Sequence, residues 1–101
     1  MNKFTIDEAI NRRMAANSDY TRLFGQGSFD IGFYRLIRFD KQTPHSRDEL
    51  YIIAAGSGDF FCGRETKSFS TGDIFFVPAG VAHGFVKFTY DFATWVVFFK
   101  S

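Results

Sequence analysis

Two segments of this chain are apolar at every position: Ile74-Phe75-Phe76-Val77 and Trp95-Val96-Val97-Phe98-Phe99. Successive side chains of a strand point to opposite faces, so a strand with no polar position has neither face to give to water. Each must be covered twice, once by a barrel interior and once by a helix or another subunit. A chain of 101 residues has room for one core and little spare material for a second cover. A homodimer is therefore expected.

The rest of the sequence supports a β body. Fifteen Phe, four Tyr and one Trp favour strands and bury much area per residue. From residue 29 onward, short apolar runs at 29–39, 50–55, 58–62, 66–70, 74–78, 83–88 and 93–99 are separated by turn chemistry. The separators are Gly56-Ser57-Gly58, Cys62-Gly63-Arg64, Thr71-Gly72-Asp73 and Pro78-Ala79-Gly80. Such spacing indicates a sandwich or barrel rather than βαβ units. Gly56-Ser57-Gly58 is read as a hairpin turn, since no helix follows to make it a phosphate loop.

One helix is expected, within residues 5–16. Thr5 and Glu8 have capping-box spacing, and Ile6, Ile10 and Met14 recur every four residues as an apolar stripe. The chain thus divides into a helix and lead-in, 1–28, and a barrel, 29–101, within a single domain.

Several functions are disfavoured at once. The formal net charge is +1 and no basic run exceeds Arg12-Arg13, so nucleic acid is not an expected partner. A single cysteine, Cys62, allows no internal disulfide and is read as a small buried hydrophobe. The first residues hold no apolar run long enough for a signal peptide or membrane span, which makes the cytoplasm the expected location.

The residues with metal chemistry are few. His45 and Glu49 are four apart and fall on one side of an extended chain, and His83 follows a Pro-x-Gly turn. Two imidazoles and a carboxylate form the facial set that binds a divalent ion and leaves positions open. They are also the only two histidines in the chain. On spacing alone the metal signal is weak, and they read sooner as ordinary or hydrogen-bonded pocket residues without a metal.

These residues also carry a resemblance. His45-Ser-Arg-Asp-Glu49, followed by six residues and Gly56, is similar to the first cupin motif, G-x5-H-x-H-x(3–4)-E-x6-G, from its second histidine onward. Gly72-Asp-Ile-Phe-Phe-Val-Pro78-Ala-Gly80-Val-Ala-His83 resembles the second motif, G-x5-P-x-G-x2-H-x3-N, at every fixed position but the last. More narrowly, Pro44-His45, Asp48-Glu49, Tyr51, Phe76 to Gly80, His83 and Phe92-Ala-Thr-Trp95-Val96 resemble a group of small cupins without a settled activity.

The resemblance implies an all-β, double-stranded β-helix (jelly-roll) barrel. It also implies a divalent metal ion (iron, manganese, nickel or zinc) at His45, Glu49 and His83, with a small-molecule ligand or substrate. It points to dioxygenase- or isomerase-like chemistry, or to a non-catalytic binding or sensing module in the same pocket. Three positions depart from the pattern: Ile37 for the leading glycine, Lys87 for the closing asparagine and Thr43 for the first histidine. Losing that imidazole removes one of four expected ligands.

Thr43, Gln42 and Tyr51 are the candidate pocket-lining residues, Tyr51 being equally readable as core. Asp48 has the opposite parity to Glu49 and is read as a solvated or turn-capping carboxylate. Arg35, Arg38 and Lys87 are candidates for an anionic substrate, against the default of exposed strand charges. No catalytic residue is assigned.

Overall fold

In a computed structural model that describes residues 1–36 and 44–100, one helix precedes eight strands. They are α1 (Ile6–Ala16), β1 (Tyr20–Gln26), β2 (Phe29–Tyr34), β3 (Asp48–Ala55), β4 (Ser57–Cys62), β5 (Glu65–Ser70), β6 (Ile74–Val77), β7 (His83–Val86) and β8 (Ala93–Phe99). A five-stranded sheet, β1-β2-β8-β3-β6, faces a three-stranded sheet, β5-β4-β7, and every pairing is antiparallel. This is the jelly-roll expected from the turn-punctuated run.

Connections that look alike in sequence do different work. Cys62 pairs with Glu65 across Gly63-Arg64, a two-residue hairpin with Gly63 at φ +60. Gly56-Ser57-Gly58 is not a hairpin, because β3 and β4 belong to different sheets. Gly56 turns that corner at φ +89, where a Cβ would lie 2.7 Å from the Cα of Phe92. Thr71 to Asp73 and Pro78 to Gly80 likewise carry the chain between sheets.

One strand was not expected. The lead-in up to residue 28 contains β1, whose register with β2 shifts between Arg22 and Phe24. The bulge at Leu23 breaks the alternation of apolar positions that would have revealed a strand. It also frees two carbonyls, and the Arg12 guanidinium donates to the oxygens of Leu23 and Arg22 at 3.2 Å each. The helix is thereby pinned to the bulge.

The Thr5 hydroxyl accepts from the Glu8 amide at the N-terminus of α1, as the capping signal requires. The expected apolar stripe does not hold, however: Ile6 and Met14 are 41% and 61% exposed. The helix instead rests on fully buried Ala9, clustered with Leu23, Phe33 and Ala93 and flanked by Phe4 and Ile10. A small side chain at the contact lets the helix axis approach the sheet closely.

Rings fill the space between the sheets. Phe60 and Phe85 stand 4.6 Å apart, Phe85 and Phe92 4.8 Å, and Tyr51 and Phe85 4.9 Å, in tilted or edge-on arrangements that favour aromatic quadrupoles. The outer face of the large sheet is also apolar. Register aligns Ile31, Val97, Leu50 and Phe76 in one row and Phe33, Trp95, Ile52 and Ile74 in the next. The buried cluster under α1 covers this face from β1 and β2 as far as Ala93 and Trp95 of β8, while Ile74 and Phe76 on the β6 edge stay 62% and 54% exposed. Among the described residues no helix is long and apolar enough to cross a membrane.

Candidate metal centre

The two motifs meet because backbone and side-chain hydrogen bonds tie them together. The Gly80 amide donates to the His45 carbonyl at 2.8 Å, and the Ala79 amide donates to the Asp48 carboxylate at 2.8 Å. Asp48 is thus the turn-capping carboxylate its parity suggested. Gly80, at φ +81, supplies the left-handed residue that the turn between β6 and β7 requires.

Glu49 lies on the inner face of β3, between Val77 of β6 and Phe98 of β8. His83 opens β7 on the opposite sheet, paired with Cys62 of β4. His45 precedes β3 and reaches Glu49 across a bend at Ser46-Arg47 rather than by strand alternation. The three ligand atoms lie within 4.8 Å of one another.

Glu49 links the two imidazoles. One carboxylate oxygen is 3.3 Å from His45 Nε2 and the other 3.2 Å from His83 Nε2. The Glu49 side chain is 1% exposed, and neither oxygen has a hydrogen-bond donor among the described residues. A buried carboxylate is costly unless a cation, an imidazolium or a metal ion, lies against it.

The His83 ring is held from its far side. Its Nδ1 lies 2.9 Å from the Val81 carbonyl, which only accepts, so the proton sits on Nδ1 and Nε2 turns its lone pair toward Glu49. A backbone carbonyl holding the far nitrogen of a ligating histidine is the usual outer support of a metal site. Ligand atoms about 2.1 Å from an ion stand roughly 3–3.4 Å apart, which matches the two histidine–glutamate separations. With all three ligand atoms inside 4.8 Å, two imidazoles and a carboxylate are a donor set whose chemistry suits a divalent ion.

Tyr51 belongs to core and site at once. Its ring is fully buried, and its hydroxyl lies 3.1 Å from His83 Nε2. Thr43 and Gln42 fall outside the described residues, as does Arg38. Of the other candidate cations, Arg35 lies over the Tyr90 ring and Lys87 is exposed.

One hollow adjoins the centre and a second opens at the β6 edge. The first, of about 400 Å³, has His45 in its wall and is bounded by Tyr20, Arg22, Asp30, Arg47 and Phe98. Arg22 and Arg47 escaped the sequence reading, although Arg47 stands two residues from His45. The other, of about 450 Å³, opens beside Phe60, Phe75 and Cys62. Cys62 is half-buried rather than fully buried, and burial, then the charges of Glu65 and Glu49, push its thiol pKa up.

Sheet architecture and inward-facing donors together define a small jelly-roll protein with a candidate two-histidine, one-glutamate centre. The chain belongs to the cupin family: residues 38–98 match the family described as the cupin domain. It is 34% identical over 100 residues to an uncharacterized protein of Streptomyces coelicolor, covering 97% of this chain and 95% of that one. A structure of unknown function from Rhizobium leguminosarum superposes with TM-score 0.77 at 20% identity, covering 100% of this chain and 98% of that one. A cupin 2 conserved barrel domain protein from Salinispora arenicola superposes with TM-score 0.72 at 20% identity, covering 100% and 90%.

Proposed function

We propose that this cupin binds one divalent metal ion through His45, Glu49 and His83 and acts on a small molecule as a metal-dependent enzyme, of the dioxygenase or isomerase kind. The observation that carries this reading is the buried Glu49 carboxylate, each of whose oxygens lies 3.2–3.3 Å from an imidazole Nε2. A bound divalent ion supplies Lewis acidity there, and iron would add access to dioxygen chemistry.

The chain's own residues do the rest. The Val81 carbonyl holds the proton on His83 Nδ1, and Asp48 fixes the turn that presents His83. His45, 30% exposed, forms the side of the centre open to a ligand in the adjoining hollow. Phe98, edge-on to His45 at 5.3 Å, limits water on that side.

The alternative is a non-catalytic binding or sensing module without metal. It draws support from Tyr51, whose hydroxyl can donate to His83 Nε2 and satisfy that imidazole with no ion present. Elemental analysis of protein purified without added metal separates the two. Stoichiometric Fe, Mn, Ni or Zn, lost in His83→Ala, supports the metal reading. Metal-free protein that binds no added Ni²⁺, Fe²⁺ or Zn²⁺ leaves the module.

The working unit in this reading is a homodimer in which a second copy covers the outer rows at β3, β6 and β8. Those rows carry no charged side chain, and the cluster under α1 takes in Ile31, Phe33 and Trp95 but not Leu50, Ile52, Ile74, Phe76 or Val97.

A further inference from the structure

The hollow beside His45 has features that the metal ligands do not explain. Register places Asp30, Phe98 and Glu49 in one row on the inner face of the large sheet, so Asp30 stands two strands from the metal ligand. Arg22 Nε lies 2.9 Å from one Asp30 oxygen and Arg47 Nη1 lies 2.7 Å from the other. One carboxylate facing two guanidiniums leaves a positive charge over. Each guanidinium carries five N–H donors; Arg22 spends Nε on Asp30 and Arg47 spends Nη1 on Asp30 and the Ser28 carbonyl, so the other nitrogens keep donors for an incoming anion.

Two glycines shape this place. A Cβ on Gly32 would lie 2.3 Å from the Tyr20 ring, and one on Gly25 would overlap the Arg22 guanidinium. Their bare backbone lets Tyr20 and Arg22 lie flat along the sheet. The Tyr20 and Tyr34 rings stand 4.7 Å apart, and Phe98 completes an aromatic wall. Burial, followed by the Asp30 charge, raises the Tyr20 pKa, so its hydroxyl remains neutral and able to donate. A volume of about 400 Å³ is that of a small-molecule pocket.

The link to the centre is Phe98. The Arg47 guanidinium lies 4.9 Å from its ring centroid and the His45 ring 5.3 Å from it, so the cationic end of the hollow and the metal-ligating end share one aromatic side chain. A surface ion-pair clamp alone would tie the strands together with no need for an aromatic-walled hollow opening onto His45.

We propose that this hollow is the subsite for the carboxylate of a small organic acid, held by Arg22 and Arg47 with its flat carbon skeleton against Tyr20, Tyr34 and Phe98. Its far end carries an oxygen that reaches the ion beside His45, and this second half rests on the metal reading above. The substrate class of the cupin is then an oxygenated carboxylic acid rather than a neutral sugar or an amine.

The test is calorimetry with 4-hydroxybenzoate and its neutral counterpart 4-hydroxybenzamide, on metal-stripped protein in EDTA and on Ni²⁺-loaded protein without chelator. The expected result is binding of the acid at least about tenfold tighter than the amide in both states, and tighter still with Ni²⁺. Arg47→Gln and Arg22→Gln should each weaken the acid by about tenfold while leaving the amide and Ni²⁺ affinity unchanged. Equal affinity for acid and amide, or no acid binding at millimolar concentration in either state, overturns the subsite. That comparison uses the unmutated chain, so it decides even where an arginine variant does not fold. If Ni²⁺ fails to bind, the metal reading falls by itself, and acid against amide in EDTA still judges the subsite. If Ni²⁺ and acid both bind but Ni²⁺ adds nothing to acid affinity, the bridge to the metal is overturned.

Discussion

The amide of Gly80 donates to the carbonyl of His45 at 2.8 Å, so the two motifs that supply the candidate metal ligands are joined through backbone. Asp48 reinforces the joint by accepting from Ala79. Such preorganisation keeps ligands close without an ion and lowers the ordering cost of binding one. Asp48→Ala should therefore lower stability by about 1 kcal/mol, the net value of a typical hydrogen bond. It should also weaken metal binding several-fold while leaving all three ligands in place. Urea unfolding of the metal-free protein and a Ni²⁺ titration measure the two effects, and an unchanged Ni²⁺ affinity would show that the turn does not position the site.

Glu49→Gln separates the metal-free and metal-bound roles of the carboxylate. The native group is buried with no donor to its oxygens, so a neutral amide of equal size removes a desolvation cost. The variant should be at least as stable as the native chain in EDTA. Added metal should raise the native Tm but leave the variant's nearly unchanged, because a ligand that binds only the folded state stabilises it in proportion to its affinity. Thermal melts with and without Ni²⁺ provide the readout. A variant that melts far below the native chain in EDTA would mean that Glu49 is structurally paired, and would count against the metal.

Much of this was legible in the sequence, for reasons that differ from residue to residue. The strands after residue 29 announce themselves because their boundaries are chemical: Gly63 and Gly80 sit at positive φ, where other residues are disfavoured. His45, Glu49 and His83 could be paired from motif spacing, although the fold brings His45 round by a bend. β1 was hidden because its bulge at Leu23 destroys the two-residue period. The Arg22–Asp30–Arg47 cluster was invisible for another reason: its members lie on two strands and a bend, and only register brings them together. The helix stripe misled because Ala9, not the larger Ile6 or Met14, makes the contact.

Acid should expose the Asp30 cluster. Hydrogen bonds first from Arg47 and then from Arg22 hold this carboxylate below its ordinary value of 3.8. A pKa lowered by folding contributes stability above the unfolded value, and that contribution fades as pH falls through the folded one. The loss should therefore appear below about pH 4 and be absent at neutral pH. Asp30→Asn should flatten that part of the stability-against-pH profile, measured by urea unfolding between pH 2.5 and pH 7 (roughly the carboxylate range). A native profile with the same acid limb as the variant would show that the two ion pairs carry no folding linkage.

The outer face of the large sheet gives the last prediction. Phe76 is 54% exposed on the β6 edge, with the Phe99 ring 6.4 Å away, and register places Leu50 beside it and Val97 beyond. Ile74, two residues away on the same face, is 62% exposed. Large apolar side chains grouped on an edge strand invite association, and the usual safeguard of an inward or edge charge is missing from β6. A two-fold axis across this face would bring the same rows from both copies together, the self-complementary contact typical of a closed dimer. Phe76→Asp places a carboxylate in that contact, opposite its own symmetry mate, and Ile74→Asp repeats the test on the adjacent row. Neither side chain is in the core between the sheets, so both variants should fold. Light scattering at micromolar concentration should give twice the chain mass for the native protein and a single chain mass for either variant. A native monomer, or a dimer that both substitutions leave intact, would place the interface elsewhere or remove it.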